Sequence, residues 1–182
     1  MSEIALKIKI YGDPHLRKKS MPVSRVTSRH RDILSYMAQI MYESQGIGLA
    51  AAQLGINESM IVVDIGSGLY KLINPRTVKK EGKQSLDEGC LSIPGICVKV
   101  KRAKKVLVKA LDENGKDISI QAEDLLACVL QHEMDHLKGK LIVDYASFLK
   151  KLRIKKQLAA LREQVKNEKL PESETKSCKL QL

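Results

Sequence analysis

Tryptophan is missing from the 182 residues and phenylalanine occurs once. Proteins that read single-stranded RNA stack its bases on aromatic side chains, and this chain has little to stack them on. No apolar run approaches the roughly 20 residues needed to cross a bilayer. The opening stretch, MSEIALKIKIYGDP, has neither the apolar block nor the cleavage site of a secretory signal. A cytoplasmic protein with no membrane partner is the expectation. Cysteine is also sparse: Cys90, Cys97, Cys128 and Cys178 form no CxxC pair and no tight framework, so reduced thiols are expected. Each is then free to serve as a ligand, a nucleophile or a small buried apolar residue. Internal repeats and low-complexity tracts are absent.

What is present is a moderate apolar content of 43% and a surplus of base, 32 Lys and Arg against 21 Asp and Glu, for a net charge of +11. That charge favours polyanions through counterion release, or simply keeps the protein soluble. The length suits one domain over residues 1–170. The polar end PESETKSCKLQL, residues 171–182, reads as a disordered tail.

Periodicity predicts a helix over about Ser28 to Ser44, with Ser28 as N-cap, Ile33, Leu34, Met37, Ile40 and Met41 as its apolar stripe, and Gly46 as its stop. Strands follow at MIVVDI from Met60 and at YKLINP from Tyr70, the second stopped by Asn74 and Pro75. VLVKALDENGKDISI reads as a hairpin turning at Asn114 and Gly115. From about Glu123 the period becomes helical: Leu125, Val129, His132 and His136 share one face, and Gly139 closes the helix. A third helix is expected over about 147–167. Ile154, Leu158, Leu161 and Val165 form its apolar stripe, and Lys150, Lys151, Arg153, Lys155, Lys156, Arg162 and Lys166 form a basic outer face.

The stretch QHEMDHLKG carries the chemistry. Side chains four apart on a helix lie about 6 Å from each other, so His132 and His136 can donate nitrogens to one ion while Glu133, turned by one residue, stands beside it. This is the arrangement of a metal-assisted hydrolase, in which a bound water loses its proton at a pKa of roughly 7 and a carboxylate moves protons. Placement on the apolar face argues against histidines satisfied only by hydrogen bonds, because burying two imidazoles among leucines is costly unless something binds them. Two imidazoles need a third ligand. Ile142, at the place where an extended zinc-protease motif has a histidine, cannot bind metal, and Glu163 or Glu168 fall on the basic helix. Cys90 in DEGCLSIPG is the better candidate: Gly89 permits close backbone approach, and Pro94 with Gly95 sets a turn, so the segment reads as an exposed, fixed edge. In GIGLAAAQLG, Gln53 offers an uncharged amide donor for an oxyanion.

Taken together, GIGLAAAQLG, EGCLS and QHEMDHLKG, in this order and separation, resemble the three signature motifs of the bacterial peptide deformylases. DPHLR and LINP are also similar to that family, so the resemblance spans roughly Ile8 to Arg162. It implies an α+β fold, a single domain of mostly antiparallel strands around a central metal-binding helix, with an N-terminal helix and a long C-terminal one. It implies that Cys90, His132 and His136 hold a divalent ion, natively Fe(II), with Zn(II), Ni(II) or Co(II) as alternatives. Glu133 would take a proton from the bound water as it attacks the formyl carbon and pass it to the departing amine. Gln53 and the Leu91 backbone N–H would meet the oxyanion, and Ile47, Gly48 and Gly89 would pair with an extended formyl-methionyl peptide. Leu125 and Cys128 would contribute to an apolar pocket for the methionine side chain. Cys97 and Cys128 depart from the longer side chains of many relatives. The basic C-terminal helix resembles the one with which related enzymes dock on the ribosome, and a monomer is expected. Two other readings stay open at this level: a general zinc endopeptidase on the same helix motif, and a non-catalytic RNA-binding protein using the basic helix.

Overall fold

Ten regular elements follow the apolar patterning in a computed structural model that describes residues 7–167. In chain order they are α1 (Ser28–Glu43), β1 (Gly48–Ala50), β2 (Met60–Val63), β3 (Tyr70–Glu81), β4 (Gln84–Glu88), β5 (Val98–Arg102), β6 (Lys105–Leu111), β7 (Asp117–Glu123), α2 (Asp124–His136) and α3 (Phe148–Lys166). One sheet has the order β1-β2-β3-β6-β7, every neighbour antiparallel, and β4 pairs with β5 in a separate antiparallel hairpin. This is the expected α+β arrangement. The proposed tail over 171–182 lies outside the described residues.

The middle of the large sheet is covered on both faces. Met60 and Val62 of β2 pack with Leu34, Met37 and Met41 of α1, whereas Ile61 and Val63 point the other way, into a cluster with Ala127 and Val129 of α2. Burial on two sides explains why MIVV is an unbroken apolar run rather than an alternating one. Nine of the thirteen residues of α2 are buried, so this helix, not α1 or α3, is the central one.

Several boundaries differ from expectation for local reasons. The N-cap of α1 is Thr27, one residue earlier than Ser28. His30 takes the place that Glu or Gln would hold in a capping box, its Nδ1 accepting the Thr27 backbone N–H at 3.0 Å. The stop of α1 is Gln45, at φ 55°, with Gly46 N–H reaching back to the Met41 carbonyl at 2.8 Å. Asn74 and Pro75 do not end β3. The strand bulges there, with a register shift between Ile73 and Arg76, and Asn74 (φ 53°) supplies the missing edge: its side chain accepts the Val23 N–H and donates to the Val23 carbonyl, both at 2.8 Å. A proline at a bulge has no ladder bond to lose.

The β4–β5 hairpin is an addition to the elements expected from sequence. Its Val98, Val100 and Arg102 face inward, and Lys99 and Lys101 face solvent. Helix α3 matches expectation closely, with Ser147 as N-cap and Ile154 and Leu161 buried. Arg162, however, does not belong to a free basic face: its guanidinium rests on Tyr11, with 2.9 Å from Nη2 to the hydroxyl and 5.0 Å from Cζ to the ring centre. Gly12 makes that docking possible, since a Cβ there would lie 3.0 Å from the Arg162 Cα. The thiols also differ from expectation. Cys90 and Cys128 are free and buried, but the half-buried Cys97, which lines a surface groove with Lys99, Lys101 and Lys150, is disulfide-bonded.

Candidate metal centre

Strand β7 runs directly into α2, with Glu123 as the N-cap, and the register of β7 against β6 sets which face of α2 meets the sheet. His132 and His136, one turn apart, therefore both enter the interior, 2% and 1% exposed. Their Nε2 atoms are 3.2 Å apart, and His136 Nε2 is 3.3 Å from Cys90 Sγ. The three ligand atoms all lie within 4.8 Å of one another.

Cys90 arrives on the turn after β4, fixed by the Ile93 N–H bonding to the Cys90 carbonyl at 2.8 Å. The segment is not the exposed edge that its glycines and proline suggested. Cys90 is 3% exposed, and Ser92 and Ile93 are fully buried, because Ile93, Ile96 and Val98 pack with Leu16 and Leu141 beneath it. The Pro94–Gly95 corner remains near solvent, and Leu91 is half-buried.

Around these three residues stands a carboxylate network that was not among the expectations from sequence. His132 Nδ1 donates to Glu88 Oε2 at 2.9 Å, leaving its Nε2 lone pair for the ion. Arg102 grips the same carboxylate in a fork, Nε to Oε1 at 2.7 Å and Nη2 to Oε2 at 2.8 Å, and also reaches Asp135. The Tyr145 hydroxyl donates to Asp135 at 2.7 Å. Burial alone would raise the Glu88 carboxyl, but the hydrogen bonds from Arg102 and His132 outweigh it and hold it down, at about 2. Two alternations carried the missed signal: the period of two in VKVKR turns Arg102 inward, and that of β4 turns Glu88, not Asp87, the same way.

The other expected residues fall close by. Glu133 is fully buried, neither of its oxygens has a hydrogen-bond partner among the described residues, and it lies against the Cα of Gly48, where a Cβ would collide with Oε1. Burial pushes its carboxyl well above the ordinary range. Gln53 Oε1 accepts the Ala50 N–H at 2.8 Å, which aims Nε2 toward Ser92 Oγ (3.2 Å) and Cys90 Sγ (3.8 Å). The Leu91 backbone N–H makes no hydrogen bond among the described residues. Gly48 belongs to β1, an edge strand that among the described residues pairs only with β2. Ile47 and Leu125, both half-buried, pack on the cluster that contains Cys128. The Cys128 thiol itself points to Glu88 Oε1, at 3.2 Å.

These residues fit a divalent ion. Burial, and then the charges of Glu133 and Glu88, push the Cys90 thiol up, and burial keeps His136 neutral, the ligating form of an imidazole. His136 Nδ1 and both Glu133 oxygens are buried without partners. A cation among the ligand atoms offsets the cost of a buried thiolate and of the buried Glu133 oxygens; it does not satisfy His136 Nδ1, because Nε2 is the atom that faces Cys90 and His132. One sulfur and two nitrogens suit Fe(II), Zn(II), Co(II) or Ni(II), and three protein ligands leave a position open.

Residues 5–152 match the polypeptide deformylase family. The chain is 54% identical over 131 residues to the peptide deformylase of Syntrophomonas wolfei subsp. wolfei, covering 72% of this chain and 86% of that one. It is 53% identical over 135 residues to that of Thermoanaerobacter pseudethanolicus, covering 74% and 85%. Among solved structures, a peptide deformylase from Legionella pneumophila is similar at a TM-score of 0.82 and 39% identity over 91% of this chain and 98% of that one. A plant peptide deformylase gives 0.86 and 34% over 94% and 97%.

Proposed function

Because the chain belongs to the peptide deformylase family, we propose that it hydrolyses the formyl group from the N-terminal formyl-methionine of new polypeptides, releasing formate and a free amine. The observation that carries this reading is the meeting of Cys90, His132 and His136 within 4.8 Å beside the unpartnered carboxylate of Glu133.

Cys90, His132 and His136 would hold one divalent ion, Fe(II) in the native protein, with Zn(II), Ni(II) or Co(II) as substitutes. Such an ion supplies a Lewis acid that acidifies water and polarises the formyl oxygen. Glu133, its carboxyl lifted by burial, takes the proton from the attacking water and returns it to the departing amine nitrogen. The Gln53 amide and the Leu91 N–H donate to the oxygen as it gains charge; neither needs to move far, because Gln53 is braced on Ala50. The open edge of β1, at Ile47 and Gly48, together with Gly89 after β4, binds the peptide backbone as an added strand. Leu125 and Cys128 contribute to the apolar space for the methionine side chain, which is supported by Leu125 packing on the cluster that contains Cys128. The protein acts as a cytoplasmic monomer, and among the described residues no helix is long and apolar enough to cross a membrane.

The reaction is tested by following formate from formyl-Met-Ala-Ser beside its N-acetyl counterpart and a blocked peptide with only internal bonds. Formate release from the first, with the other two intact, is expected. Cleavage of internal bonds would favour an endopeptidase.

We also propose that α3 contacts the ribosome. Lys151, Arg153, Lys155 and Lys156 are exposed and make no ion pair among the described residues. Deleting α3 is a poor test, since it strips Ile154 and Leu161 from the core. Reversing charge at Lys151→Glu, Lys155→Glu and Lys156→Glu is expected to weaken co-sedimentation with ribosomes about 10-fold or more at low salt, with peptide hydrolysis unchanged. Equal co-sedimentation would remove the proposal.

A further inference from the structure

Glu88 is fully buried, and its two oxygens offer four acceptor directions. All four are used. Arg102 takes one on each oxygen, at 2.7 and 2.8 Å; His132 Nδ1 takes the second on Oε2, at 2.9 Å; Cys128 Sγ takes the second on Oε1, at 3.2 Å. Cys128 lies four residues before His132 on α2, so thiol and imidazole project from one face of the helix as successive rungs and address the two oxygens of one carboxylate. The metal chemistry described above makes no use of this sulfur.

We propose that Cys128 is a positioning residue for the metal centre: by donating its S–H to Glu88 Oε1, it fixes the carboxylate plane that orients His132. The inference rests on the metal-centre reading, and it concerns this chain's own residue rather than the family's ligands. Burial, and then the charge on Glu88, push the Cys128 thiol up, so it keeps the proton it donates. An apolar side chain here would leave Oε1 with a single bond in a place that water does not reach. The carboxylate could then turn toward Arg102, and His132 would lose the partner that fixes its ring.

Packing and positioning predict opposite orders for two substitutions. Cys128→Val keeps the site apolar without a donor, at the cost of one added methyl, and Cys128→Ser keeps a donor at some loss of apolar contact. If the thiol were only filler, valine would serve better than serine. The test is Zn(II) affinity of the full chain by chelator competition, with the visible spectrum of the Co(II)-loaded protein recorded on the same variants. Cys128→Ser is expected within about 2-fold of the wild type and with its Co(II) bands. Cys128→Val and Cys128→Ala are expected to bind about 10-fold more weakly, with shifted bands. Thermal melting of the metal-free chains separates this from unfolding; should the valine variant not fold, the serine and alanine variants carry the comparison. Valine binding as tightly as the wild type, or serine no better than valine and alanine, overturns the proposal. A wild-type chain that binds no Zn(II) overturns the metal centre and this role together.

Discussion

Glu133→Ala is expected to retain its ion and to lose about 10³-fold in the rate of formate release, equivalent to about 4 kcal/mol at the transition state. The basis is positional. Glu133 and the two histidines leave the same helix, but one residue of rotation takes the carboxylate away from the ligand atoms and sets it against Gly48 of the edge strand. Its oxygens meet no donor among the described residues, so nothing but substrate, water or an ion can satisfy them. Glu133→Gln should behave like the alanine variant although it preserves shape, because an amide does not accept and return a proton. Measured metal content separates the roles: loss of the ion from these variants would make Glu133 a ligand.

Cys90→Ala is expected to do the reverse, abolishing measurable turnover through loss of the ion. Removal of an outer-shell partner typically costs 10- to 100-fold in affinity, and removal of a direct ligand should exceed about 100-fold. The two imidazoles remain close to each other, braced by Glu88 on the His132 side, yet two nitrogens on one turn do not make a closed set. Equilibrium dialysis against Zn(II) checks this. Unaltered binding together with cleavage of internal bonds would remove Cys90 from the site and favour an endopeptidase.

How far the sequence could be read follows from the range of the forces involved. The meeting of Cys90, His132 and His136 was legible because local periodicity placed the two histidines on the apolar face of α2, and because three separated motifs resembled one family. Helix α3 was legible for the same reason, its stripe at Ile154, Leu158 and Leu161 being unbroken. Cys90 meets the two histidines as expected but was wrongly pictured as exposed: Gly89, Pro94 and Gly95 describe a turn, and its burial depends on packing with the distant Leu16 and Leu141. The bulge at Asn74 depends on Val23, far back in the chain, so the Asn-Pro pair looked like a stop. Asp135 gave no sign at all, and Arg102 only the inward turn of VKVKR. Each is an ordinary charged residue until β5 and α2 are brought together around Glu88, and only then does the pairing explain how a buried carboxylate stays ionised.

The most direct test of the metal centre is transition-metal content and formate release measured on one sample purified without oxygen or chelator, then again after chelation and after adding ion back. About one ion per chain is expected, with release from a formyl-methionyl peptide that stops on chelation and returns on reloading. A folded, metal-free chain that releases formate at the full rate would contradict the account.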